Sequence, residues 1–280
     1  MAETLRCYRH PDRETGVSCS ECGRGICPDC MTFLPVGIRC PDHSSQAQGP
    51  RRVVQNVQRR SSGNRPVTKA IVALNVGIFV LQLAMGAPMT TDSGRIWEEG
   101  VLYGPAVANG DWHRLLSAAF LHYGPIHLAL NMLAVWWLGG LLEDAIGSLR
   151  YGLLYLVSGL AGSAGALLLN PTGLTVGASG AVFGILGAAL VLERQRTFVF
   201  GGAAITLLVV NLAFTFAIPG ISIGGHLGGL AGGALAMLAM TRFGRVSAVY
   251  GRNDLASMAG IAGVGLLSVF VAYLSVNGYV

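Results

Sequence analysis

Gly177-Ala178-Ser179-Gly180 places a serine in a run of small residues, and His226 is the only histidine that follows it. A serine hydroxyl is a weak nucleophile until a neighbouring base takes its proton, and imidazole is the usual base. Brought together, the two side chains would perform acyl transfer. Attack on a carbonyl creates an oxyanion, which needs hydrogen-bond donors. His127 and Asn131 are four residues apart, one above the other on a single helix face, and both can donate. The Ser179 backbone N–H would be a third donor, and His122 would brace the adjoining loop or His127. Asp92, Glu98, Glu99 and Asp111 lie in polar stretches far from both reactive residues. The expectation is therefore a Ser–His pair without a third carboxylate. A metal site made of His122, His127 and His226 is the competing use, and it lacks thiolate or carboxylate co-ligands.

A second set of reactive side chains precedes all of these. Cys7-x-x-His10, Cys19-x-x-Cys22, Cys27-x-x-Cys30 and Cys40-x-x-His43 hold all six cysteines of the chain. Two residues between ligands let a tight turn aim both side chains at one ion, and zinc takes four Cys or His ligands in a tetrahedron. Eight ligands make two sites. Interleaving gives Cys7, His10, Cys27 and Cys30 for one zinc and Cys19, Cys22, Cys40 and His43 for the other; sequential pairing is the alternative. A three-disulfide module would leave both histidines idle and require an oxidising compartment. The pattern resembles the B-box type of zinc finger.

The elements that must position the serine and histidine are apolar. Of 280 residues 52% are hydrophobic and only 12% charged, and mean hydropathy is +0.55; a soluble domain carries about 25% charged residues. Seven apolar segments run near 67–86, 125–143, 150–170, 179–193, 198–217, 222–241 and 256–277. The fourth is short, so a helix starting at Ser179 would hold that serine below the membrane surface. His226, Gly229 and Gly233 share one helix face, as do Gly180, Gly184 and Gly187, and two glycine stripes permit close backbone approach. Phe183, one turn after Ser179, would pack under the imidazole.

Orientation follows from Lys and Arg. With the N-terminus inside, twelve basic residues flank the cytoplasmic ends against two, Arg95 and Arg114, in the outer loops. The zinc module is then cytoplasmic and Ser179 opens outward. Residues 44–66 are polar, basic and free of acids, and read as a disordered linker attracted to anionic lipid heads. Net charge is +5, but nucleic-acid binding has no aromatic or motif support. No secretory signal is expected ahead of the first apolar segment.

Taken together, the chain resembles the rhomboid intramembrane serine proteases. The resemblance is carried, in order, by Trp112-His113-Arg114, His122…His127-x-x-x-Asn131, Glu143…Gly147-Ser148, Gly177-Ala178-Ser179-Gly180 and His226-x-x-Gly229-x-x-x-Gly233. It covers roughly residues 66–245. It implies Ser179 as nucleophile, His226 as base, and His127, Asn131 and the Ser179 amide as oxyanion hole. Arg114 would hold the first loop, and Phe183 stands where many members carry Tyr. The implied fold is all-α and polytopic. Residues 1–43 form the zinc module, 67–245 the six-helix core, and 246–280 a seventh transmembrane helix. The implied reaction is hydrolysis of peptide bonds in or near transmembrane helices of membrane-protein substrates. The zinc module would be structural or would recruit a cytoplasmic protein. An inactive, helix-binding relative would be expected to lack the serine or the histidine. A transporter would line a route across the membrane with polar residues, whereas here they gather at one face.

Overall fold

The structure, a computed structural model, describes residues 5–34, 37–44, 64–89, 93–195, 203–243 and 255–279. It divides into two units, Met1–Gly63 and Asn64–Val280. Most of the expected linker, residues 45–63, lies outside the described residues. The linker's expected edges do not hold. Ser44 ends a one-turn helix, Pro41–Ser44, and Pro66 already begins the first long helix. Arg65, read from sequence as a lipid-attracted cation, instead pairs with Asp144 at 2.7 Å.

In the first unit, two short antiparallel hairpins pair Leu5–Arg6 with Glu14–Thr15 and Thr32–Leu34 with Gly37–Arg39. Five cysteines and Ile26 are its buried cluster. So small a core cannot hold a fold by hydrophobic burial alone, and units of this size usually require a metal or a disulfide. None of the six cysteines is joined in a disulfide.

Among the described residues the second unit contains seven long helices: α1 (Pro66–Ala84), α2 (Pro125–Ile146), α3 (Ser148–Leu169), α4 (Ser179–Arg194), α5 (Ala203–Ala217), α6 (Ile223–Phe243) and α7 (Leu255–Val276). All but α4 and α5 are long and apolar enough to cross a membrane. The 16 residues of α4 reach about 24 Å at 1.5 Å per residue, short of a hydrocarbon core of about 30 Å. The α2 helix contains a π-helical turn, Val135–Gly139, which periodicity alone does not reveal. Leu74, Val80, Leu130, Trp136, Leu266 and Phe270 are exposed on the flanks of the bundle. Unpaired apolar side chains of this kind are what a helix presents to lipid.

The α6 helix is wedged between α3 and α4 because glycine lines both contacts. A Cβ at Gly229 would collide with the Gly180 carbonyl, and one at Gly233 with the Gly184 carbonyl. On the opposite side, Gly224 meets the Gly165 carbonyl and Gly228 the Ala161 carbonyl. The glycine stripes on α4 and α6 therefore do meet, as their spacing predicts. In lipid this packing supplies the association energy that water-driven burial cannot.

The loop between α1 and α2 is built, not featureless. Short helices occupy Arg95–Gly100, Gly104–Ala108 and Arg114–Ser117. Trp97, Val101, Leu102, Val107 and Leu115 bury their side chains. An antiparallel bridge joins Leu102 to Thr175, just ahead of Ser179.

Candidate active site and candidate metal centres

Ser179 is the first residue of α4, following Ala178. The segment before it is held by the loop: Gly177 N–H donates to the Ala118 carbonyl at 2.9 Å, and Thr175 exchanges hydrogen bonds with Leu102 at 3.1 Å. Gly177 has φ +122°, and a Cβ there would sit 2.7 Å from the His127 ring. Only glycine turns the chain into α4 while letting His127 approach. The N–H groups of the first turn of α4 have no intrahelical acceptor, and the positive end of the helix dipole points the same way.

His226 lies in the first turn of α6. Ser222 caps that helix, its Oγ accepting from Gly225 N–H at 3.1 Å. The imidazole is buried and stacks on Phe183, with centroids 4.1 Å apart and planes 17° from parallel. Since Phe183 is one turn beyond Ser179 on α4, this stack sets the ring beside the serine's helix. The other ring contact was not read from the sequence. Thr215 Oγ1 of α5 lies 2.7 Å from His226 Nδ1. Its sequence signal was available in retrospect, since Asn211 and Thr215 form an i, i+4 polar pair in a largely apolar segment.

Ser179 Oγ makes no hydrogen bond among the described residues. The hydroxyl instead borders a water-sized cavity of about 30 Å³, shared with Ser163, Gly177 and Ser222. The close contact anticipated from the glycine stripes is thus made by the backbones but not closed by the side chains. Catalytic hydrogen bonds are commonly long before substrate binds.

His127 is held between two rings, His122 edge-on at 5.0 Å and Tyr123 at 6.2 Å. Burial, with His127 alongside, pulls His122 down to about 3, so it is a neutral spacer at physiological pH. Asn131 is buried, and its Nδ2 donates to the His127 carbonyl at 2.9 Å, leaving its second N–H for another acceptor. Arg114 is remote from the serine. Its Nη1 donates to the Glu98 and Val101 carbonyls at 2.8 and 2.9 Å, and its Nε to Asp111 at 2.9 Å. Arg114 thereby closes the loop whose Ala118 and Leu102 hold Gly177 and Thr175. His113, inserted between Trp112 and Arg114, adds a 2.9 Å contact to the Glu99 carbonyl.

A rhomboid-domain family model matches residues 109–243, which contain Ser179, His226, Phe183, Thr215, His122, His127, Asn131 and Arg114. The chain is 35% identical over 176 residues to "Putative rhomboid protease YdcA" of Bacillus subtilis, covering 61% of this chain and 86% of that protein.

The chain belongs to the rhomboid family.

Rhomboid relatives of greater length extend beyond it. Identity to "Rhomboid protease GluP" of B. subtilis is 37% over 183 residues, 64% of this chain but 36% of GluP. Identity to "RHOMBOID-like protein 1" of Arabidopsis thaliana is 39% over 127 residues, 44% and 33% of the two chains. The chain thus spans about a third of the length of those two relatives. As a rhomboid with several apolar helices, this chain is a multi-pass, all-α membrane protein.

The N-terminal unit lies outside the matched region. Its eight ligand candidates form two clusters, Cys7, His10, Cys27 and Cys30, and Cys19, Cys22, Cys40 and His43, with ligand atoms within 4.8 Å of one another in each. The grouping is the interleaved one. Among the described residues these are the only clusters able to hold a metal ion, and His122, His127 and His226 do not form one. His10 Nδ1 is 3.4 Å from both Cys27 and Cys30 Sγ and 3.7 Å from Cys7 Sγ. His43 Nδ1 is 3.2 Å from Cys40 and 3.9 Å from Cys19, and Cys22 and Cys40 are 4.0 Å apart. Zinc bonds of about 2.3 Å to sulfur and 2.0 Å to nitrogen give tetrahedron edges of about 3.5–3.8 Å. The donor sets fit that size. Burial works against the Cys7 thiolate, but backbone donors from Cys27 and Arg9 outweigh it and bring the thiol to about 6. Burial, with Cys27 and Cys7 facing it, pushes Cys30 up to about 11. A central cation would relieve that crowding of like charges.

Proposed function

We propose that this rhomboid is an intramembrane serine endopeptidase. The stack of His226 on Phe183, beside the helix that Ser179 begins, carries the reading. Ser179 Oγ attacks the scissile carbonyl carbon as its proton passes to His226 Nε2. The negative oxygen of the tetrahedral adduct accepts from the Ser179 N–H, His127 and the free N–H of Asn131. Collapse breaks the C–N bond, and the proton on Nε2 goes to the departing amine. Water then hydrolyses the acyl-serine by the same steps. Arg114, Gly177, Gly229 and Gly233 position these groups, and His122 fixes the His127 ring.

The substrates are membrane proteins cut in or near a transmembrane helix. A helix hides its carbonyls in its own hydrogen bonds, so the cut segment must unwind, and small or helix-breaking residues favour that. The Lys and Arg bias supports a cytoplasmic N-terminus and a Ser179 site open to the extracytoplasmic side. Each N-terminal cluster holds one structural zinc, and catalysis needs no metal.

The test is labelling of the detergent-solubilised protein with a fluorophosphonate probe. Labelling is expected for the wild type and lost in Ser179→Ala and His226→Ala. A folded wild type that does not label, while binding membrane helices without cutting them, would replace the protease with a helix-binding rhomboid relative.

A further inference from the structure

The α5 helix is the most exposed of the site helices. Ile205, Val209, Val210, Phe214 and Phe216 all face outward. Thr215 is the exception, a polar side chain on the same helix that is only 2% exposed. Its hydroxyl oxygen has two partners, the Asn211 carbonyl at 2.7 Å and His226 Nδ1 at 2.7 Å.

One hydroxyl has one proton and two lone pairs. The Asn211 carbonyl is the i−4 carbonyl of the same helix and can only accept, so the hydroxyl proton belongs there. The short contact to His226 is then a hydrogen bond only if Nδ1 carries the proton and donates to Thr215 Oγ1. A neutral imidazole protonated on Nδ1 has its lone pair on Nε2. We infer that Thr215 fixes His226 in the Nδ1–H tautomer and so keeps Nε2 free as the base toward Ser179. Thr215 is a positioning residue that acts through His226, and this role rests on the Ser179–His226 reading above. It supplies, from a neutral group, the orienting bond that a carboxylate gives the histidine of a three-residue triad.

Proton balance holds through the reaction. Nε2 gains the Ser179 proton and later gives it to the leaving amine. Nδ1 keeps its proton and its bond to Thr215 throughout, and the Thr215 proton stays on Oγ1, donated to the Asn211 carbonyl. Asn211 is itself tied to its helix, its Nδ2 donating to the Leu207 carbonyl at 2.7 Å. The ring is thus fixed by two helices, in plane by Thr215 of α5 and face-on by Phe183 of α4.

Two variants separate this role from packing. Thr215→Val keeps the shape and removes the hydroxyl; Thr215→Ser keeps the hydroxyl and removes a methyl. Protein labelled with 15N-histidine, in detergent micelles, reports the tautomer directly, with His226→Ala identifying the resonances. Wild type and Thr215→Ser are expected to show the proton on Nδ1, and Thr215→Val to shift population to Nε2–H. Fluorophosphonate labelling should slow roughly 10- to 100-fold in Thr215→Val, the range expected when one orienting hydrogen bond is lost. Thr215→Ser should recover to within about threefold of wild type. A wild-type His226 protonated on Nε2 would overturn the inference. So would Thr215→Val labelling at the wild-type rate, or slow labelling in Thr215→Ser that matches the valine variant. The tautomer measurement needs no activity, so a wild type that holds Nδ1–H yet never labels would sink the protease reading alone.

Discussion

The two ends of the helical bundle treat their polar groups in opposite ways. Where α1 begins, one buried carboxylate gathers the backbone and hydroxyl donors around it. The Glu143 carboxylate, though only 3% exposed, accepts from Val67 N–H, Thr68 N–H, the Thr68 hydroxyl and the Ser148 hydroxyl at 2.7–3.1 Å. It caps α1 from another helix, and Arg65 pairs with the adjacent Asp144. Where α4 and α6 begin, a serine hydroxyl, the first N–H groups of α4 and one amide N–H of Asn131 have no acceptor or donor among the described residues. Carboxylate bonds at one end tie α1, α2 and α3 together. At the other end glycine packing does the holding, and the polar groups stay available. The rhomboid core separates the groups that stabilise it from the groups of the proposed chemistry.

That contrast can be tested from either end. The largest effect is expected from Glu143→Ala, which strands two backbone N–H groups and two hydroxyls. It should cost about 3 kcal/mol of stability. Reversible unfolding in mixed micelles measures this, and the labelling rate per folded molecule should not change. A variant equally stable but inactive would show that the ends are not separate. Next is Gly177→Ala, where the added Cβ meets His127 at 2.7 Å on a backbone with φ +122°. Labelling of Ser179 should fall roughly 100-fold, about 2.7 kcal/mol of activation free energy, with a smaller loss of stability than Glu143→Ala. Loss of folding instead would make Gly177 a residue of the scaffold. Arg114→Ala frees the Glu98 and Val101 carbonyls and loosens the loop behind Gly177. The expectation is about 1–2 kcal/mol in stability and a measurable slowing of labelling, read in the same two assays. Arg95→Ala removes an ion pair with Glu99 whose side chains are 77% and 64% exposed. It should change stability by less than about 0.5 kcal/mol, and a larger effect would assign this stretch of the loop a load that its exposure does not suggest. A chelator is expected to shift the His10 and His43 resonances, followed by NMR, while leaving the Ser179 labelling rate in place.

The sequence alone determined the elements and the local sites. Cys-x-x-Cys and Cys-x-x-His spacings are set by single turns, so the N-terminal ligand pairs were readable directly. Runs of apolar residues located all seven helices to within a few residues, except that the start expected at 198 for α5 lies outside the described residues, because length and hydropathy in lipid leave few alternatives to a helix. Glycine periodicity identified the faces of α4 and α6 that meet. The tertiary structure decided what depends on distant partners. It settled the interleaved ligand grouping, since either pairing satisfies the same local turns. It took Arg65 from the basic linker into an ion pair 79 residues away, and folded the α1–α2 loop against the lead-in to Ser179. It gave the Ser179 hydroxyl no hydrogen bond among the described residues, where spacing suggested a closed contact. Above all it brought Thr215 to His226 Nδ1. The sequence marks Thr215 only as one polar residue in an apolar helix, and helical periodicity says which face a residue occupies but not which atom of another helix it will meet.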